Sequence, residues 1–283
     1  MAETEHASNS ILVATDDSLP AQRAANLAIQ IAPGQGLSIR GLYVVDEGLV
    51  TDSYDNYQTE LGGTEEPSSR ADLVQQFRKQ GDIALQRLEA HCRIGNIPVT
   101  TDLVFGGVPE LVLQEAAQAK LLALGRRGQG HVTDTSHLGR IFRAVAHHAQ
   151  LPILVGGDEQ RSLNRLLLAY NGSEHAINAL AWTKLLQHKP VSQVIALAVQ
   201  ENSSTSQHWL SEIEQQLNTA GLVDYRLVSR EGQPAAEIIA AASEHQADLV
   251  VMGRYRHTAL IEWVVGSTLD RVLRGTRLPV LAV

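Results

Sequence analysis

Apolar residues in this chain fall in short runs, separated by stretches in which small apolar residues recur at helical spacing, and the whole alternation occurs twice. Residues 10–16 form an apolar run of strand length, closed by Asp16 and Asp17. Ser18 is placed to cap a following helix, with Pro20 tolerated in its first turn. Ala21, Ala24, Ala25, Ala28 and Ile31 then give that helix one apolar face. The pattern predicts a strand over 37–45, a long polar stretch over 46–68, a helix over 69–93, a strand over 99–105 and a helix over 108–119. Residues 121–124 read as a short buried strand, Gly125 to His137 as a glycine-containing loop, 138–149 as a helix and 152–155 as a last strand. The second half predicts strands near 165–170, 193–199, 224–229, 248–252 and 279–283, with helices between.

The two halves match in sequence as well as in pattern. ILVATDDS at 11–18 aligns with LLLAYNGS at 166–173, and VFGGVP at 104–109 with SREGQP at 229–234. LLALGR at 121–126 aligns with LVVMGR at 249–254, and LPIL at 151–154 with LPVL at 278–281. Matches that keep their order indicate a duplication, divided here as residues 1–157 and 158–283. Strands that alternate with helices imply an α/β fold in each half: a five-stranded parallel sheet covered on both faces, in three α/β/α layers. Such sheets bind ligands beyond the carboxyl ends of their strands. That rule places Asp16, Asp46, Gly107, Gly125 and their counterparts on one rim.

The glycine loops carry the chemical signal. The first half has Gly125, Gly128 and Gly130, then Gly139-Arg140 where a helix opens; the second has Gly253, then Gly266 and Ser267 where a helix opens. Glycine lets a backbone turn sharply and approach a phosphate closely, and a helix N-terminus adds unpaired N–H groups. Read structurally instead, Gly125 and Gly253 end a strand with positive φ, Gly139 and Gly266 are packing sites, and Ser267 is a helix cap. A P-loop is excluded, because the chain holds no Gly-Lys pair. A dinucleotide fingerprint is excluded because its helix must begin inside the glycine motif, and a G-x-S-x-G nucleophile elbow is missing.

Composition narrows the classes further. The net charge of −8 argues against nucleic-acid or anionic-membrane partners. A single cysteine, Cys92, excludes an intrachain disulfide and a cysteine-rich zinc site. The polar, acidic start and the want of a long apolar run predict a soluble cytoplasmic protein. Residues 46–66 hold seven acids and no base, a solvated insertion or a lid over the first half. His131, His137, His147 and His148 read as surface histidines rather than metal ligands, and Trp182, Trp209 and Trp263 as packing residues.

These motifs resemble the universal stress proteins in their tandem form, over both halves. The resemblance implies domains of the adenine-nucleotide alpha-hydrolase type. It also implies a site for adenine nucleotide, ATP with Mg²⁺, built from an Asp after the first strand and a Gly-x2-Gly-x9-Gly-Ser/Thr loop. The first half carries Asp16, Gly125, Gly128 and Gly139, but ten residues precede Gly139 and Arg140 replaces the hydroxyl residue. The second half carries Gly253, Gly266 and Ser267 at the family spacing, but Asn171 replaces the Asp and Arg256 the second glycine. Arg126, Arg127, Arg140 and Arg256 are phosphate ligands under this reading. The first half is the favoured site. The resemblance further implies that the last strands of the halves pair across a pseudo-twofold axis, so that one chain mimics a dimer; association of two chains stays open. The function expected is a stress-response or regulatory factor whose nucleotide alters a contact surface for a protein partner. The alternatives are a nucleotide-free interaction module and a weak ATP hydrolase, the latter without an evident general base.

Overall fold

Ser18 is the cap that the pattern predicts. In the computed structural model its Oγ accepts from the N–H of Ala21, and helix α1 (Leu19–Gln35) starts there and stops at Gly36 in the left-handed conformation, φ 60°. The structure describes residues 9–51, 70–128, 138–159, 161–186, 191–200, 203–219, 221, 224–254 and 267–283. The buried face of α1 is Ala21, Ala24, Ala25, Ala28 and Ile31, the set expected from spacing, with Leu27 and Ala32 beside it. Small side chains let this helix lie close on the sheet: a Cβ at Gly156 would sit 2.2 Å from the carbonyl oxygen of Pro20.

The first half contains strands β1 (Ser10–Ala14), β2 (Ser38–Asp46), β3 (Val99–Gly106), β4 (Leu121–Gly125) and β5 (Ile153–Gly156). Besides α1, its helices are α2 (Arg70–Ile94), α3 (Val108–Ala116) and α4 (Arg140–His148). The second half contains β6 (Arg165–Tyr170), β7 (Gln193–Gln200), β8 (Tyr225–Glu231), β9 (Leu249–Met252) and β10 (Val280–Ala282). Its helices are α5 (Glu174–Leu186), α6 (Ser203–Thr219), α7 (Pro234–Glu244) and α8 (Thr268–Gly275). Each predicted strand is present within a few residues of its expected bounds. The acidic 46–68 stretch begins with a helical turn at 47–51; residues 52–69 lie outside the described residues.

Both halves use the strand order 3-2-1-4-5 with parallel pairing, and the two orders join as β3-β2-β1-β4-β5-β10-β9-β6-β7-β8. The join is antiparallel, with Val155 opposite Val280, Leu154 opposite Leu281 and Ile153 opposite Ala282. The last strands of the halves thus pair as the resemblance implies, and the two five-stranded sheets form one ten-stranded sheet. The last strands of the two halves lie at its centre, which explains why β5 and β10 are buried throughout. The outer strands β3 and β8 alternate half-buried and exposed positions, as edges do. One core lies between the sheet and α1, α2, α5 and α6, the other between the sheet and α3, α4, α7 and α8. Trp182 and Trp209 pack against the former.

Cys92 belongs to that core and is fully buried; burial, with Glu89 adding to it, pushes its thiol up from 9.0 to about 11. An acid with a raised folded value stabilises the fold below its unfolded value, and the contribution is lost as pH rises from 9.0 to about 11. A disulfide-exchange dye near pH 8 should label the urea-unfolded chain roughly a hundredfold faster than the native one, since the thiolate is the nucleophile. Equal rates would show that the thiol is not held in this core.

Candidate functional site

The carboxyl ends of β1, β2 and β4 open onto a cleft of about 290 Å³ in the first half. Asp16, Gly125, Arg127, Gly128, Gly139 and Arg140 all line it, so the fold brings together six residues separated by up to 124 positions in the chain (16 to 140). Asp46, placed on the rim by the strand-end rule, also lines it. Its apolar wall includes Leu42, Val44, Val112 and Leu124, and its size is at the lower end of small-molecule sites, about 300 Å³ and upward.

Asp16 is held by a local turn. The Ser18 N–H donates to Asp16 Oδ1 at 3.0 Å, and Asp17 beside it takes the left-handed conformation, φ 62°. That conformation is costly outside glycine, and Asp17 is anchored there by Arg87 Nη1, 2.6 Å from its Oδ1, and by the Gln22 side-chain amide. The matched residue of the second half is Gly172, φ 70°. Gly128 faces Asp16: a Cβ there would lie 2.8 Å from Asp16 Oδ2. Tyr43 lines the cleft as well, and burial, followed by the charges of Asp16 and Asp17, raises its phenol above the ordinary value.

Gly139 is the N-cap of α4 and supplies no capping side chain. Its N–H donates to the Arg126 carbonyl at 2.9 Å, and a Cβ on it would meet Arg127 Cα at 3.2 Å. The helix therefore starts tight against the end of β4, with Arg140, Ile141 and Phe142 in the lining of the cleft. An uncapped first turn offers backbone donors and the positive end of the helix dipole.

Gly125 and Gly253 do not have positive φ. They are required by close approach: a Cβ at Gly125 would lie 2.8 Å from Ala21 N, and one at Gly253 2.7 Å from His175 C. Ser267 acts as the cap of α8, its Oγ accepting from Asp270 N at 3.2 Å. Asn171 lies in a local turn, its Oδ1 accepting from Ser173 N and Oγ at 3.2 and 2.7 Å. Arg256, Gly266, Trp263, His131 and His137 lie outside the described residues.

The arginines depart most from expectation. Arg126 is only 2 % exposed and reaches away from the cleft into the second half. Its Nε donates to Gly156 O at 3.0 Å, Nη1 to Leu273 O at 3.1 Å and Thr276 O at 2.7 Å, and Nη2 to Leu278 O at 2.6 Å. Arg254 returns the contact, donating to Ala146, Ala149 and Leu151 carbonyls at 3.1, 2.8 and 3.3 Å. Each arginine thus binds the C-terminal carbonyls of the other half's last helix, where a cation is favoured. Assigning Arg126 to phosphate is corrected by this geometry. Arg127 borders the cleft, but its Nη2 is ion-paired with Asp158 Oδ1 at 2.7 Å. Asp158, Phe77 and Gln80 were not singled out by the sequence reading. Phe77 and Gln80 are three apart on α2, a spacing that puts them on one helix face. His147 and His148 sit in exposed contact with each other at the end of α4. Among the described residues no group of three or more His, Cys, Asp or Glu is arranged to hold a metal, and no helix is long and apolar enough to cross a membrane.

The model of the universal stress protein family matches this chain twice, over residues 8–155 and 162–283. Universal stress protein Slr1230 of Synechocystis sp. is 27 % identical over 165 residues, 57 % of this chain and 56 % of that protein. Universal stress protein MJ0531 of Methanocaldococcus jannaschii is 43 % identical over 53 residues, 19 % of this chain and 31 % of that protein. The matches thus span about half or less of the curated relatives' length. The crystal structure of a universal stress protein from Archaeoglobus fulgidus superposes with a TM-score of 0.75 at 19 % identity, over 97 % of this chain and 98 % of that one.

Proposed function

Because the chain belongs to the universal stress protein family and carries its domain twice, we propose that it is a cytoplasmic stress-response regulator that binds adenine nucleotide, ATP, in the cleft of its first half. The observation that supports this is the joint lining of one cleft by Asp16, Gly125, Gly128, Gly139 and Arg140. In this reading the apolar wall takes the purine and the Asp16 carboxylate accepts from its polar edge or from the ribose. Gly128 and the start of α4 approach the phosphates, and Arg140, exposed at the first position of that helix, supplies charge. A magnesium ion would arrive on the phosphates, with Asp16 and Asp46 as the carboxylates of the lining. Nucleotide occupancy, read by a protein partner, is the regulatory output.

The second half is assigned no site. Its last helix carries Asp270 in the first turn, 2 % exposed, where the matched residue of the first half is Arg143. Although ion-paired with Arg274 at 3.0 Å, that buried carboxylate makes the helix start less favourable to an anion. This favours the interaction-module reading for that half alone.

Titration calorimetry with ATP should give one site per chain. At a hundred times Kd, ATP should stabilise the fold by roughly 2.7 kcal/mol, a shift of several degrees in Tm. Arg140→Glu should weaken binding at least about tenfold. No heat and no shift at millimolar ATP would end the nucleotide reading, and two equal sites would end its assignment to the first half.

A further inference from the structure

A second concavity, about 510 Å³, lies where the halves meet. Arg23 of α1, Arg127 after β4, Arg274 at the end of α8 and Arg277 before β10 line it, and Asp158 is the acidic member of its described lining. Guanidinium groups of both halves converge here, in a chain whose net charge is −8. Asp158 answers one of them, Arg127, at 2.7 Å. Asp270 pairs with Arg274 at 3.0 Å but is not part of the lining. Arg23 Nη1 donates to a neutral group, the Gly157 carbonyl, at 3.5 Å. Arg277, with a side chain 72 % exposed, reaches Glu159 only at 3.5 Å. Behind the wall, burial lowers Arg126 to about 10; Asp158 opposes this shift, and Arg127 and Arg23 add smaller contributions to it.

We propose that this groove is an anion site separate from the cleft, and that it takes a linear oligophosphate bridging the two halves. Planar guanidinium forks match phosphate oxygens two at a time. Forks on different walls suit a chain of phosphates better than a single one. The described lining holds no aromatic ring on which a base would stack, which argues against nucleic acid. Since Arg127 lines both cavities, an anion in the groove competes with Asp158 for a residue that also borders the cleft.

Inorganic tripolyphosphate, titrated calorimetrically into the full chain, should bind, and more weakly as salt rises. Arg23→Gln with Arg277→Gln should weaken it at least about tenfold, and Arg277→Gln alone, on an exposed side chain, severalfold with an unchanged melting curve. Gly128→Val, which fills the cleft, should leave tripolyphosphate binding intact. Absence of binding to the native chain, indifference to the loss of Arg277, or loss of binding in Gly128→Val would each overturn the proposal, the last by moving the anion into the cleft. Success or failure of ATP binding bears on the cleft alone and leaves these outcomes unchanged.

Discussion

Arg126→Met should destabilise the fold by about 3–5 kcal/mol, the range for breaking a buried charged network, and should split one unfolding transition into two. The side chain is 2 % exposed and donates to four carbonyls, three of them in the opposite half. Methionine fills much of the volume and supplies no donor, so those carbonyls lose their partner without access to water. Arg254→Met should act alike, since Arg254 makes the matched contacts on Ala146, Ala149 and Leu151. The join that these residues guard is short, three residue pairs between β5 and β10. Urea unfolding followed by two probes, one in each half, gives the measurement. A loss below about 1 kcal/mol with coincident transitions would show that the strand join and the packed helices suffice without the arginines. Arg126→Lys should fall between, keeping charge but only one donor centre.

Gly128→Val should abolish ATP binding, with a loss of at least about a hundredfold, or roughly 2.7 kcal/mol, while the chain stays folded. A Cβ at that position already meets Asp16 Oδ2 at 2.8 Å, and the two further methyl groups of valine enter the cleft. The strain falls on the end of a side chain rather than on backbone, so the fold can yield there. Gly125→Val is a poorer probe. Its Cβ would lie 2.8 Å from Ala21 N and 3.1 Å from Pro20 C, so lost binding would be confounded with displacement of α1. Calorimetry beside a melting curve separates the two cases. Undiminished binding by folded Gly128→Val would place the nucleotide outside this cleft.

Legibility in the sequence differed by kind of residue. Strand positions and the α1 cap could be read because they depend on neighbours within a turn or two: Ser18 caps the residues directly after it, and Ala21 to Ile31 face one side by helical period alone. Asp16, Gly125, Gly128 and Gly139 could be nominated because parallel α/β sheets gather ligands at strand ends. The reason for each glycine could not be read. Gly125 looked like a turn residue, yet it is needed because the start of α1 passes within contact distance. The sequence leaves Ser267 open between cap and ligand; in the fold its Oγ accepts from Asp270 N, the bond of a cap.

The arginines mark the division most sharply. Arg126 and Arg127 are adjacent, both basic, and both follow a glycine at the end of a strand; nothing local separates them. One clasps the other half and the next pairs with Asp158 beside the cleft. By itself the sequence determined a duplicated α/β chain, its strands and helices, and a set of cleft residues, because periodicity and capping act over a few bonds. The resemblance already implied that β5 and β10 pair, as they do; only the tertiary structure decided what each guanidinium meets across that join. A long charged side chain takes its role from whatever carbonyl or carboxylate the fold sets in front of it, and that partner lies up to 152 residues away, as Leu278 does from Arg126.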